Sequence, residues 1–177
     1  DGASLSGGSQ RGVDVRVASG SALVFSGGTV SIQGAGDGSA TTTVDVQGGT
    51  GAFSWEVTGG TFSLENFAVR GLDAAGLTFS GAPTVDALAT GEFTLTQDGG
   101  TLMTVASTTF DQNPTKLFAQ VGFATSSGVA TGSNVTVSGT TANFWTFVNE
   151  FGVLAGEDYD VNDTDLCGAV RWTDSTC

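Results

Sequence analysis

The feature of this sequence that most restricts its fold is the alternation of apolar and polar residues in short runs bounded by glycine. Residues 13–17 read Val-Asp-Val-Arg-Val, and residues 53–57 read Phe-Ser-Trp-Glu-Val. Successive side chains of a β-strand point to opposite faces, so each run places its apolar residues on one face of a sheet. A helix would need apolar residues three and four positions apart. The alternation therefore predicts an all-β protein.

Composition supports that prediction, because the 177 residues include 28 glycines and many Ser, Thr and Val residues, and glycine and β-branched residues are weak helix formers. About a dozen short strands at intervals near ten residues predict a β-sandwich or jelly roll. Glycine pairs begin at irregular distances, at Gly27, Gly48, Gly59 and Gly99, whereas a solenoid would be expected to repeat at a fixed period. A β-helix remains the alternative architecture.

The run from Glu92 to Val105 predicts a β-hairpin. A three-residue loop, Asp98 to Gly100, would pair Leu95 with Met103 across an antiparallel ladder and gather the apolar side chains on one face. Gly100 would then take the left-handed conformation that such a loop requires.

The aromatic stretch 141–154 is open to two interpretations. Phe144, Phe147, Val148 and Phe151 have helical spacing, which favours one short helix near 142–151 that covers an end of the sandwich. An aromatic strand is the other interpretation. In both cases these residues are expected to pack in the core.

The beginning of the chain has a pattern that predicts a function in assembly. Residues 1–12 are rich in glycine and serine and are predicted to form a flexible arm, followed by a single β-sandwich domain over residues 13–177 with a C-terminal disulfide loop. An extended segment that presents Val13, Val15 and Val17 on one face is suited to completing a neighbour's sheet. This arrangement resembles the donor strand of fimbrial subunits. It implies an extracellular structural subunit that assembles with itself into filaments or layers, although the strand could equally pair within its own sheet.

Charge excludes two classes of partner. The chain carries 18 acidic and 5 basic residues, has no histidine, and has a formal net charge of -13. Nucleic acids and anionic lipids bind through Lys and Arg, so we expect neither as a partner. No run of eighteen apolar residues occurs, and we expect no membrane span.

Cysteine usage indicates an oxidising compartment. Cys167 and Cys177 are the only cysteines, and without histidine they are a poor zinc site, so we expect a local disulfide and an extracellular location. Two Asn-X-Thr sequons, at Asn134 and Asn162, fit an exposed surface that could carry glycans.

The strongest local chemical signal is an acidic cluster near the end of the sequence. Hard cations such as calcium prefer several oxygen ligands that converge within one turn of chain. The candidate ligands are Asp158, Asp160, Asn162, Asp163 and Asp165. The spacing is not that of an EF-hand, since Asp163 stands where that loop needs glycine and Ala169 where it needs a bidentate acid. The sequence thus predicts either a calcium site or a solvated acidic loop.

Catalysis is not expected. Without histidine, a serine or cysteine nucleophile lacks its usual base, and the two cysteines are expected to be oxidised. The alternative to a structural subunit is a calcium-assisted carbohydrate-binding or adhesin domain. Its best candidate for stacking on a sugar is Trp172, which lies between the two cysteines.

Overall fold

The structure is a computed structural model that describes residues 12–35, 40–163 and 168–173. The strands, in chain order, are β1 (Asp14–Val17), β2 (Ala22–Phe25), β3 (Thr29–Gln33), β4 (Thr42–Val46), β5 (Phe53–Val57), β6 (Thr61–Glu65), β7 (Phe67–Arg70), β8 (Leu72–Phe79), β9 (Thr84–Leu95), β10 (Gly100–Ala106), β11 (Lys116–Thr125), β12 (Gly132–Ser138), β13 (Trp145–Val148) and β14 (Val170–Trp172). One short helix, α1, spans Ser107–Gln112, and 3-10 turns lie at Gln47–Gly49 and Glu157–Tyr159.

All strand pairs among the described residues are parallel, and they form three stacked ladders. Face A stacks β1, β4, β7 and the second halves of β9 and β11. Face B stacks β2, β5, β8, β10 and β12. Face C stacks β3, β6, the first halves of β9 and β11, then β13 and β14. The chain visits the three faces in turn, and therefore winds as a three-sided β-solenoid.

Six coils follow one another along the solenoid axis. They are coil 1 (14–33), coil 2 (42–65), coil 3 (67–89), coil 4 (91–119), coil 5 (121–148) and coil 6 (151–172). Coil 6 has a regular strand on face C alone, and it joins faces A and B through single parallel bridges, Gly122 to Phe151 and Thr136 to Val161.

The all-β prediction is confirmed and the β-helix alternative fits, but a sandwich of antiparallel sheets does not. Alternation alone cannot separate the two architectures, because each buries one face of every strand. The sequence shows no fixed period because the corners between strands differ in length from coil to coil. Leu23 stacks on Trp55 after 32 residues, but Trp55 stacks on Leu77 after only 22.

The predicted hairpin is wrong in its pairing, although both of its strands exist. β9 and β10 lie on neighbouring faces, and Leu95 pairs with Thr125 of the next coil instead of with Met103. Gly99, rather than Gly100, takes the left-handed conformation, with φ of 73°. The chain therefore turns a corner here and does not reverse.

The aromatic stretch near the end of coil 5 forms a strand, and the predicted helix near 142–151 is wrong. Trp145 and Phe147 alternate inward in β13 and are fully buried. The α-helix of the described chain is α1, at the corner between faces B and C of coil 4, where the sequence analysis predicted none.

The core is a continuous column of aromatic rings along the axis. Phe25 of coil 1 contacts Trp55, which packs edge-on against Phe62 at 5.8 Å. The contacts continue through the middle coils to Phe147, which stacks on Trp172 of coil 6 at 5.1 Å. Ring edges carry partial positive charge and ring faces partial negative charge, so these tilted contacts add to the energy of burial.

Polar corners hold the coils in register. Asn113 follows α1 and is 2% exposed. Its side-chain oxygen accepts from the Val85 amide at 2.8 Å, and its side-chain nitrogen donates to the carbonyls of Pro83 and Thr109. A buried amide with partners for both ends stabilises the corner, whereas an unpaired one would destabilise it.

The corner between faces C and A uses one left-handed residue in each of four successive coils. They are Asn66, Thr90, Gln120 and Asn149, with φ between 50° and 58°. Each stands between the last residue on face C and the first on face A. A single left-handed residue turns the chain sharply without lengthening the coil.

Candidate functional site

Coil 1 presents an open edge at one end of the solenoid. Its three strands pair only with strands of coil 2 among the described residues, β1 with β4, β2 with β5 and β3 with β6. The opposite edge of each strand has no strand partner in the described part of the chain. An unpaired edge carries free amide and carbonyl groups and is a template for another strand.

Backbone hydrogen bonds identify the residues that face this edge. The carbonyls of Val13, Phe25 and Gly28 accept from amides of coil 2, at 2.8 to 2.9 Å. Because successive residues of a strand direct their N–H and C=O groups to alternate sides, every second residue turns away from coil 2. The residues of the three strands that turn away are Asp14, Arg16, Ala22, Val24, Thr29, Ser31 and Gln33, and the side chains of all seven are exposed.

Apolar side chains of coil 1 that point into the solenoid are only partly covered. Val15, Leu23, Phe25, Val30 and Ile32 pack against the core but stay half-buried. Their stacked partners in coil 2 are almost completely buried: Val44, Trp55, Val57, Phe62 and Leu64. The difference arises because coil 2 has a neighbour on both sides. Coil 1 therefore leaves apolar surface in water that one further coil would cover.

The valines predicted to form the partner strand lie in or beside β1. This strand pairs within the chain's own sheet, with Val17 only 8% exposed and Val13 40% exposed. Their backbone groups turn toward β4, so the edge open to a neighbour is formed by Asp14 and Arg16. Sequence reasoning missed the open edges of β2 and β3, since no residue pattern distinguishes an end coil from a middle one.

Coil 1 is nearly neutral. Asp14 and Arg16 are its only charged residues within 12–35. The Arg16 guanidinium donates to Asp45 of coil 2 at 3.1 Å and to Asp14 at 3.4 Å. β2 and β3 carry no charge, and charge is one of the features that keep an edge strand from pairing.

Four of the five predicted calcium ligands lie among the described residues of coil 6, and two of these four already bind groups of their own chain. Asp163 accepts from the amides of Ala169 and Val170. Asp160 accepts from the indole N–H of Trp172 at 3.1 Å.

The other candidate ligands do not complete a cation site within the described residues. Asp158 and Asn162 are exposed, and Asp165 lies outside the described residues. No group of three metal-ligating acidic side chains converges in the part of the chain that the structure describes.

Among the carboxyl groups of the described residues, Asp160 has the most strongly altered pKa. Loss of water around its partly buried carboxyl raises the pKa of Asp160 to about 7. The charges of Glu157 and Asp163 also raise it, whereas the hydrogen bond from Trp172 lowers it. Near neutral pH the Asp160 carboxyl is therefore present in both its protonated and its ionised form.

The predicted sugar-stacking residue lies in the core. Trp172 is 2% exposed, with its ring stacked on Phe147 and packed edge-on against Phe123. Its rings thus have no open face for a sugar. Cys167 and Cys177, and with them the predicted disulfide, lie outside the described residues.

The two sequons have different surroundings. Asn134 is fully buried, and its side-chain nitrogen donates to the carbonyls of Leu154 and Gly156 at 2.8 Å. In the folded chain the side-chain nitrogen of Asn134 is therefore not accessible for glycosylation, contrary to the expectation of an exposed sequon. Asn162 is exposed and stays a candidate for glycosylation.

Beside coil 6 lies a polar cleft of about 400 Å³. Residues 139–143 line this cleft together with Asn162, Asp163 and Arg171. The guanidinium of Arg171 lies 3.4 Å above the ring of Phe144, a cation–π contact that fixes its position.

No helix among the described residues is both long enough and apolar enough to cross a membrane. Comparisons of the chain with protein-family models, curated proteins and solved structures found no significant match.

Proposed function

We propose that this chain is an extracellular structural subunit that assembles with itself by strand addition, and that the open edge of coil 1 is where a neighbour is added. The observation that carries the proposal is that three strands at one end of the solenoid combine unpaired edges with half-buried apolar side chains. A parallel solenoid can be extended by further coils without limit, because each added coil presents the same kind of edge again. Such growth makes filaments.

The extracellular location rests on composition. A net charge of -13 with one lysine suits a medium whose salt screens repulsion between subunits. The pair Cys167 and Cys177 fits an oxidising environment.

Proline substitution at the open edge tests the proposal. Val24→Pro combined with Ser31→Pro removes two amides that face the edge and breaks no hydrogen bond to coil 2. We expect the molar mass of the unmodified chain, measured by size-exclusion chromatography with light scattering, to rise with concentration. The proline variant should stay monomeric over the same series.

The matched control is Val24→Ile with Ser31→Thr, which keeps both amides and the apolar side chain at position 24 and should assemble like the unmodified chain. Circular dichroism and the melting temperature should show that both variants fold. An unmodified chain that stays monomeric at every concentration would overturn the proposal, and so would a proline variant that assembles normally.

A further inference from the structure

The largest exposed apolar side chains gather at the two ends of the solenoid. Seven large apolar residues of the described chain are at least 38% exposed. Four lie on coil 6: Phe151 at 46%, Val153 at 64%, Tyr159 at 38% and Val161 at 41%. Val13 and Val24 lie beside and on coil 1, which leaves only Leu117 on the coils between.

We propose that the surface of coil 6 that includes Phe151, Val153, Tyr159 and Val161 receives coil 1 of a second copy, so that subunits join head to tail. This inference rests on the proposed self-assembly and identifies its second surface. Coil 6 fits the role because it is the other end of the same column of stacked strands.

Strand direction favours this arrangement. When coil 1 of one copy follows coil 6 of another, β3 runs parallel to β14, as strands do inside each subunit. The bridged segments of coil 6 at Phe151 and Val161 also run parallel to coil 5, and therefore in the direction of β1 and β2. A two-fold contact between like ends would make the strands at the junction antiparallel, unlike the strand pairs among the described residues. A contact between unlike ends does not close on itself, and therefore produces an open filament.

Outward-facing side chains of successive coils form rows that a head-to-tail contact would continue from one copy to the next. One row on face B runs through stacked residues from Val24 on coil 1 to Thr136 on coil 5 and Val161 on coil 6. Head-to-tail stacking continues this row, and places Val161 of one copy next to Val24 of the other. Two valines that are each about half exposed would then cover one another.

Charge argues against joining two copies through coil 6. Within 151–163 and 168–173 the chain carries Glu157, Asp158, Asp160 and Asp163, and a single basic residue, Arg171. Tail-to-tail contact would bring two such acidic ends together, which costs energy. Coil 1 is nearly neutral and contains Arg16, so head-to-tail contact avoids that repulsion.

Substitution on coil 6 provides the test. Val153→Asp with Val161→Asp puts charge on the proposed surface and should keep the chain monomeric. Leu117→Asp is the matched control, because Leu117 is 65% exposed but lies on coil 4, and it should leave assembly unchanged. A second variant, Val153→Ser with Val161→Ser, adds no charge and should weaken assembly in the same direction.

A mixture of two variants, each with a different end blocked, distinguishes head-to-tail contact from other contacts between copies. The coil 1 proline variant keeps a working coil 6, and the coil 6 aspartate variant keeps a working coil 1. We expect each to be monomeric alone and the mixture to form a dimer that contains one copy of each, detected by native mass spectrometry.

The outcomes distinguish this inference from the proposed function. If the unmodified chain assembles but the coil 6 variants assemble as well, or if the mixture forms no mixed dimer, the head-to-tail inference fails and self-assembly stands. If the unmodified chain never assembles, the proposed function itself fails.

Discussion

At the scale of single residues, Asp160 links protonation to the stability of coil 6. Its carboxyl group is partly buried, and this burial raises the pKa of Asp160 to about 7. In the unfolded chain the same group has a pKa near 3.9. Between these values the folded protein holds a proton that the unfolded chain releases, so unfolding becomes easier as the pH rises. The contribution of Asp160 to the free energy of unfolding therefore has its full value below pH 4 and is lost as the pH rises through about 7.

We predict that Asp160→Asn flattens this part of the pH profile, because an amide does not ionise and its oxygen can still accept from Trp172. Urea titrations should give the free energy of unfolding of both proteins at each pH. The value for the variant minus the value for the unmodified chain should rise from pH 4 to 7 and then level off. Asp158→Asn changes the same charge at an exposed position and should keep the original slope. Equal slopes in all three proteins would contradict the assignment.

At the scale of elements, the corner between faces C and A determines how tightly each coil closes. Two of its left-handed residues are asparagines, which tolerate this conformation because their side chains bond locally. Thr90 is the exception, with φ of 51° for a β-branched residue. Its hydroxyl donates to the side-chain oxygen of Gln120 at 3.3 Å, so the corner compensates part of the strain.

We predict that Thr90→Asn stabilises the protein by about 1 kcal/mol, since asparagine reaches the left-handed region at lower cost. The midpoint of urea unfolding should rise with an unchanged slope. The same substitution at Thr78, a half-buried position one residue before the end of β8, should lower the midpoint because asparagine is a poor strand residue. A lower midpoint for Thr90→Asn would show that the corner is not strained.

At the scale of the whole molecule, a net charge of -13 on 177 residues makes the folded chain repel itself. Salt shortens the range of that repulsion, from about 30 Å at 0.01 M to about 8 Å at 0.15 M ionic strength. The same repulsion acts between subunits. Ionic strength should therefore affect both folding and assembly.

We predict that the melting temperature rises as sodium chloride is raised from about 0.01 M to about 0.15 M, with equal effects from potassium chloride. Calcium chloride at the same ionic strength tests the acidic cluster of coil 6. A further rise that a chelator removes would indicate a calcium site, and no difference would indicate general screening alone. A melting temperature that is independent of salt would contradict the role of self-repulsion.

Local sequence predicted the strands well. The alternating runs 13–17 and 53–57 were expected as strands, and they form β1, Asp14–Val17, and β5, Phe53–Val57. Alternation determines these elements because burying every second side chain is a local property of the extended chain. Phe53, Trp55 and Val57 are accordingly buried, as their pattern predicts.

The candidate site was less accessible to sequence reasoning. Val13, Val15 and Val17 lie in or beside β1, but the open edges of β2 and β3 follow only from their place on coil 1. Trp172 looked available for a ligand because its neighbours in sequence are polar, yet its neighbours in space are Phe123 and Phe147.

Sequence by itself determined that this chain forms short strands with one buried face, that it is strongly acidic, and that it has no histidine for catalysis. Only the tertiary structure decided that the strands stack in parallel around a common axis, which coil has an unpaired edge among the described residues, and which apolar residues of the described chain are exposed. The physical reason is that alternation specifies the buried side of a strand, whereas its hydrogen-bonding partner lies 22 to 32 residues away on face B, beyond corners of variable length.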